Sequence, residues 1–407
     1  MEFSIMNFIK KYFPSFLLTF YLITTYLPLF GEIDRIASQW TTLSVINVIT
    51  FIYLYFTGGI TTKLFNRFSL PYLVFIIACL ISLFIAINPV EGLIEITRHI
   101  SIFIGLIFFF KLLNSVSNPI KRILNSVFIL FILQLLAVTN QLYFDLPPIG
   151  LTANKNIVAA SISLQLPFIW LFFTRYNNII SKIIALTLLL YTHYLLISIG
   201  SKAAILSSSV IVLVYFIVSY LVFKTKSRSH RIYSSIAVIA MILSYLITFN
   251  NKNNISQTFN NTINYSNDQG NLDRLRYYRE TLEGFIESPL IGNGIGNWKI
   301  LSIKYDAPFM KNYIVQYHAH NDFLQILAET GIVGFLLYTM FFGQIIFYSI
   351  KEFLRRKEFY IALPLLSIFV YLIDANLNFP IARVIMQVNL ILVYSFLLYN
   401  LNPINEK

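Results

Sequence analysis

Two histidines, His318 and His320, stand two residues apart in the run YHAHNDFLQILAETGIVG, directly ahead of a long apolar stretch. A neutral imidazole can take a proton near physiological pH. Upstream, DRLRYYRETLEGFIES carries Arg274, Arg276 and Arg279, and two further polar groups are Ser201-Lys202 and Asn154-Lys155-Asn156. Fixed cations in a partly dry site stabilise growing negative charge more strongly than they would in water. Each residue also has a plainer use. A histidine before a helix can be an interfacial or capping residue, Asn321 or Asp322 can cap the helix that follows, and arginines at a membrane surface commonly face headgroups. The two histidine rings are expected to point to opposite sides of the chain, so that only one faces a substrate.

These residues must be held by apolar elements, because little else is available. The hydrophobic fraction is 57% and the charged fraction 12%, against roughly 45–50% and about 25% in soluble domains. Lipid is therefore the expected solvent, and 1–407 reads as a single all-α, polytopic membrane domain. With roughly 20 apolar residues needed per crossing, the runs predict twelve helices. Nine lie near 13–30, 40–57, 70–87, 93–113, 123–140, 157–173, 179–199, 203–223 and 232–249, and three near 322–348, 359–374 and 384–400. The first is read as a retained helix rather than a cleaved signal. The net charge of +12 sits in short gaps between apolar runs, which makes it a topology signal and argues against nucleic acid as a partner. Taking Lys10 and Lys11 as inside, the inner gaps hold Lys63, Arg67, Lys111, Lys121, Arg122, Arg175, Lys182, Lys224, Lys226, Arg228, Arg231, Lys351, Arg355, Arg356 and Lys357. The outer short gaps hold only Arg35, Lys155, Lys202 and Arg383. Both termini are then cytoplasmic, and 250–321 is a large outer loop. It opens on an Asn-rich stretch, Asn250 to Asn271, and continues into an amphipathic helix with Leu275, Tyr278, Leu282 and Phe285 on one face, which on the membrane surface would leave Arg274, Arg276 and Arg279 near lipid headgroups. Pro289 with Gly292, Gly294 and Gly296 should end it in a tight turn. The single cysteine, Cys79, lies in an apolar run and precludes an intrachain disulfide.

The run from His318 resembles the signature of the O-antigen ligase and polymerase superfamily of bacterial membrane glycosyltransferases. The family's His-Asn pair, nine-residue gap and Gly-x-x-Gly are met by His320, Asn321, Gly331 and Gly334. Its Arg-x-x-x-aromatic helix followed by Pro-Leu-x-Gly-x-Gly is similar to Arg274, Tyr278, Pro289, Leu290, Gly292 and Gly294. Asn154 and Asn156, and the serine-basic turn at Ser201-Lys202, also resemble family features. Lys202 stands where many relatives carry arginine, so a point charge replaces a bidentate fork.

The resemblance implies transfer of an oligosaccharide or polysaccharide from polyprenyl diphosphate to a hydroxyl at the periplasmic face of the bacterial inner membrane. His320 is the first choice for the base and His318 the second. Arg274, Arg276 and Lys202 are candidates for the diphosphate, supported by Asn154, Asn156 and Asn321. A glycan or a lipid A core is the expected acceptor, the bilayer is the other partner, and neither metal nor cofactor is required. Ligase stands slightly ahead of repeat-unit polymerase, and a protein serine is a third acceptor. A transporter or flippase for the same lipid-linked glycan is the alternative of another class. Glu95 is the expected partner of Arg98 or His99, and His193 should bond to a neighbour. Gly331 and Gly334 are expected to serve close packing.

Overall fold

The structure is a computed structural model that describes residues 2–26, 36–60, 67–152, 154–221, 228–250, 269–309 and 316–401. The described residues form fourteen α-helices and no strand. Nine lie in the first part: α1 Glu2–Ile23, α2 Ala37–Phe56, α3 Leu70–Ser82, α4 Pro89–Ser115, α5 Pro119–Tyr143, α6 Lys155–Thr174, α7 Ile179–Ile199, α8 Lys202–Leu221 and α9 Arg228–Asn250. Two helices follow, α10 Gln269–Glu287 and the short α11 Trp298–Asp306, and then α12 Asp322–Arg356, α13 Phe359–Leu377 and α14 Val384–Leu401. Most of the Asn-rich stretch lies outside the described residues.

Ten of these helices, α2, α4 to α9 and α12 to α14, are long and apolar enough to cross a membrane. The chain is an all-α polytopic membrane protein. The other two expected spans are helical but fall short of that measure. α3 with its 3-10 extension runs Leu70–Ile85, about 24 Å at the usual helical rise, and α1 carries Lys10 and Lys11 near its middle. Asparagine caps recur at the helix starts. Asn88, Asn154, Asn178 and Asn321 each accept a backbone N–H of the first turn, which satisfies donors that lipid could not.

Helices α6 and α14 are buried nearly all round and form the centre, with α13 beside them. Their polar groups pair across the interior. Gln165 Nε2 donates to Asn389 Oδ1 at 3.1 Å, and Ser367 Oγ donates to the Leu164 carbonyl at 2.8 Å. The two ends of the bundle differ. At one, Arg175 reaches Asn125 at 2.7 Å, Ser229 reaches the Thr174 carbonyl and Arg356 the Asn400 carbonyl; Lys121, Arg122, Arg228, Arg231, Arg355 and Lys357 cluster there. At the other, Gln39 reaches the Leu151 carbonyl, Arg98 lies over the Trp40 ring, α10 and α11 pack on α12, and Asn297 and Lys299 reach Asn88 and Glu91 at the start of α4.

The fit of α10 and α11 depends on a break in α12. Gly331 has φ 67° and ψ −171°, which interrupts the helix and releases two carbonyls. The turn after α10 fills the gap: Asn293 N donates to the Ala328 carbonyl at 3.0 Å and Gly294 N to the Glu329 carbonyl at 2.9 Å, while Ile332 N donates to the Pro289 carbonyl. A Cβ on Gly331 would lie 2.3 Å from the Leu290 backbone, and one on Gly292, 2.3 Å from that of Glu329. The close packing expected of Gly331 is therefore against a loop backbone rather than another helix. A second small core, Tyr277, Trp298, Ala319 and Ala328, sits under this turn. On α10, Leu275 and Leu282 are exposed, and the buried side is Tyr277, Glu280, Thr281 and Gly284. The helix packs that side on α11, where Trp298 Nε1 donates to Thr281 Oγ1 at 2.9 Å. Its apolar periodicity marks the side turned away from the protein.

Candidate active site

Residues 316–321, directly ahead of α12, are fixed through a buried relay. Gln325 Oε1 accepts from Ala319 N at 3.1 Å, so the residue between the two histidines is tethered to α12. Gln325 Nε2 donates to Glu329 Oε1 at 3.2 Å. The Glu329 carboxylate, 2% exposed, also accepts from Gly296 N at 2.9 Å and Trp298 N at 3.0 Å. It thereby caps α11, its two oxygens taking backbone N–H groups at the start of that helix. Asn321 caps α12 through Leu324 N at 3.0 Å, the structural use considered for it. Tyr278, the aromatic partner of Arg274 in the motif, places its hydroxyl 3.1 Å from the His320 carbonyl and 2.9 Å from the Asn376 carbonyl. It ties α10, the histidine loop and the end of α13 together.

The two rings do not diverge. His320 has φ 56°, a left-handed conformation rare outside glycine, and the chain turns so that both rings meet Phe379. His318 stacks on it at 4.4 Å and 13°, and His320 meets its edge at 5.1 Å and 84°. The Arg383 guanidinium lies over the same ring at 5.0 Å. The Nδ1 atoms of both histidines are buried and hydrogen-bond to nothing among the described residues. Burial, reinforced by the charge of Arg274, lowers the His320 ring to about 4. Burial, then Arg383, His320, Arg98 and Lys299, lowers His318 to about 3. Both rings are neutral at physiological pH and can accept a proton.

The expected cations differ in their surroundings. Arg274 makes no ion pair among the described residues. Arg276 faces Asp306 at 3.1 Å and Glu280 and Asp273 at 3.6 Å. Burial and the Asp306 charge raise Glu280 to about 7, with Arg276 opposing them. Arg276 is thus engaged in joining α10 to the end of α11. Asn154 caps α6 through Asn156 N at 2.9 Å and Ile157 N at 3.3 Å. Lys202 opens α8 beside the buried Ser201. α6 and α8 meet where Ser163 Oγ donates to the Ala204 carbonyl at 3.3 Å. Both pack on α13, whose end carries Asn376 to the histidine loop. Direct contacts therefore gather His318, His320 and Tyr278, while Asn154, Asn156 and Lys202 sit at helix starts at the same end. Elsewhere, Arg98 pairs with Glu95 at 3.2 Å and His193 Nδ1 bonds to the Leu189 carbonyl at 2.8 Å, as expected. His99 instead bonds to the Tyr72 hydroxyl at 2.9 Å.

Phe379, Arg383, Lys299, Gln325 and Glu329 were not singled out by the sequence. A buried aromatic in an apolar chain carries no signal of its own, and Arg383 reads only as a rare outer-side charge. Glu329 had the one usable mark, an acid inside an apolar run.

Residues 183–339 match the family model described as O-antigen ligase. The matched stretch runs from within α7 into α12 and contains Lys202, Arg274, Arg276, both loop histidines, Gly331 and Gly334. Over that stretch, less than half of the chain, the protein is similar to the O-antigen ligase family. A comparison with curated proteins returns no match.

Proposed function

We propose that this protein transfers a glycan from a polyprenyl diphosphate to a hydroxyl of a saccharide or lipid A core acceptor, at the outer face of the bacterial inner membrane, in the manner of an O-antigen ligase. The observation that carries this reading is the loop that holds two neutral imidazoles against Phe379, with the Arg383 guanidinium over the same ring and the charge of Arg274 acting on His320. An acceptor hydroxyl is too weak an acid to attack unaided. His320 takes its proton as the acceptor oxygen bonds to the anomeric carbon. The bond between that carbon and the phosphate oxygen breaks, its electron pair leaves with the diphosphate, and fixed guanidinium charge stabilises the departing anion. A diphosphate leaves without protonation, so one base suffices. Attack from the side opposite the leaving group inverts the anomeric centre.

Arg274 and Lys202 are assigned to the diphosphate in this reading, and Arg276 to holding α10 against α11. Asn154, Asn156 and Asn321 act by fixing helix starts. The basic end of the bundle faces the cytoplasm by the positive-inside rule, together with both termini, and 250–321 lies outside.

The test is turnover by the purified protein in detergent with a lipid-linked glycan donor and a saccharide or lipid A core acceptor. Wild type forms product with no second compartment present. His320→Ala lowers transfer by about 10²-fold or more while the unfolding midpoint stays close to wild type. A wild type silent with every acceptor, or a His320→Ala variant as active as wild type, overturns the reading.

A further inference from the structure

Tyr317 stands next to His318 with its ring 64% exposed, whereas His318 and His320 turn onto Phe379. The chain beneath it is fixed, because Gln325 holds Ala319 and His318 stacks on Phe379. Lys299 Nζ lies 5.3 Å from the centre of the Tyr317 ring and 2.6 Å from Glu91 Oε2. One turn further along α4 comes Glu95, paired with Arg98 at 3.2 Å, and the Arg98 guanidinium rests 5.6 Å from the Trp40 ring. An exposed aromatic ring is thus followed by two ion pairs in a row, beside the loop that carries the base.

The row does not depend on its own ion pairs for its position. Asn88 N donates to Asn297 Oδ1 at 2.7 Å and Asn297 Nδ2 to the Asn88 carbonyl at 3.1 Å, which locks the start of α11 to the start of α4. A Cβ on Gly296 would lie 2.8 Å from the Glu91 carbonyl oxygen, so the two backbones are in close contact. The four charged side chains keep 18% to 32% of their surface open. Two carboxylates and two cations cancel, and the row itself has no surplus charge to draw a phosphate. A sugar hydroxyl both donates and accepts, and it finds both kinds of partner here. The C–H face of a pyranose packs on an aromatic ring by dispersion and weak C–H···π contacts. Phe84, Ile87 and Val90, all exposed just ahead of Glu91, set the row at the edge of the apolar surface.

We propose that Tyr317, with the Lys299–Glu91 and Arg98–Glu95 pairs, forms a saccharide subsite that holds one pyranose ring of a lipid-carried glycan beside the histidine loop. The proposal rests on the glycan transfer named under the proposed function. It adds a place for a sugar unit that does not itself react. Stacked on Tyr317 and hydrogen-bonded along the row, that unit fixes the direction in which the rest of the glycan approaches His320, and alignment of this kind lowers the entropic part of a barrier. Acceptor and donor glycans share this chemistry, and the two arms of the test tell them apart.

The experiment titrates two probes onto the purified full chain: the lipid-free core oligosaccharide, and the glycan released from its diphosphate carrier. Binding is followed by saturation-transfer NMR in a detergent without a sugar headgroup, since a maltoside would compete for the same ring. Tyr317→Ala should weaken one probe, and raise KM for the matching substrate, by about fivefold or more, with kcat moving less. Tyr317→Phe and Tyr317→Trp keep a ring and should bind that probe as wild type does. Glu91→Gln should weaken the same probe while the unfolding midpoint holds, because Asn88 and Asn297 still join α4 to α11. Loss of binding in Tyr317→Phe as deep as in Tyr317→Ala overturns the stacking role. Displacement of the bound probe by inorganic pyrophosphate would mark an anion site and also overturns the proposal. A wild type that transfers glycan while Tyr317→Ala keeps wild-type KM for both substrates removes the subsite alone. A wild type that binds neither probe and transfers nothing removes the glycan reading with it.

Discussion

His320 occupies a left-handed backbone conformation that costs a non-glycine residue about 1–3 kcal/mol. The neighbouring structure holds it there: Gln325 grips Ala319, Tyr278 grips the His320 carbonyl, and Phe379 meets both rings. The consequence for chemistry is the protonation state. A base must be neutral, and acid disables it by adding a proton. With the ring held at about 4 by burial and Arg274, transfer should be level from neutral pH down to about pH 5. Below the ring's pKa it should fall about tenfold per unit. An unperturbed imidazole, at about 6.5, would already lose activity at pH 6, and a limb at that pH would contradict the assignment. Arg274→Gln removes a positive neighbour and should move the acid limb to higher pH, besides weakening donor use. Arg276→Gln behaves differently, because it strips the counter-charge from Glu280 and Asp306. It should lower the unfolding midpoint more than it changes donor KM, as measured by thermal unfolding and initial rates on the same samples.

The break in α12 is the element that makes the site. Without it, the carbonyls of Ala328 and Glu329 would be used within the helix, and the Pro289–Gly296 turn would have nothing to bind. Gly331→Ala should therefore be severely destabilising, since a Cβ collides with the Leu290 backbone at a φ that alanine resists. Glu329→Ala leaves the Gly296 and Trp298 N–H groups buried without acceptors, at about 1–3 kcal/mol for each. Glu329→Gln retains one carbonyl oxygen and should recover part of that loss. Limited proteolysis between α10 and α11 reads the effect directly: Glu329→Ala should be cut faster than wild type, and equal rates would mean that the relay holds nothing in place. Much of this was legible in the residues. The His-Asn spacing, the glycines and the helix order are local patterns. The buried face of α10 was not, because periodicity reports which side is apolar without saying whether protein or lipid receives it. The convergence of both rings on Phe379 was also hidden, since it depends on one residue's backbone angle and on a turn about sixty residues downstream.

At the scale of the molecule, the two ends of the bundle carry different loads. One holds a crowd of lysines and arginines in short connections, and the other holds α10, α11 and the histidine loop. On α10 the exposed Leu272, Leu275, Leu282 and Ile286 form a stripe on the side opposite the buried Tyr277 and Thr281, as expected of a helix lying at a lipid surface. The positive-inside rule then sets the site outside. Cys79 makes a direct test simple, because the native cysteine is fully buried and should stay silent to a membrane-impermeant maleimide. Lys304→Cys places a thiol on α11 where the lysine side chain is 60% exposed, and Lys121→Cys places one at the exposed start of α5, at the basic end. In intact cells with a permeabilised outer membrane, Lys304→Cys should label at once and Lys121→Cys only after the inner membrane is broken. The reverse pattern would put the histidine loop in the cytosol, away from any acceptor assembled outside, and transfer onto an outer-face hydroxyl could not then occur at this site.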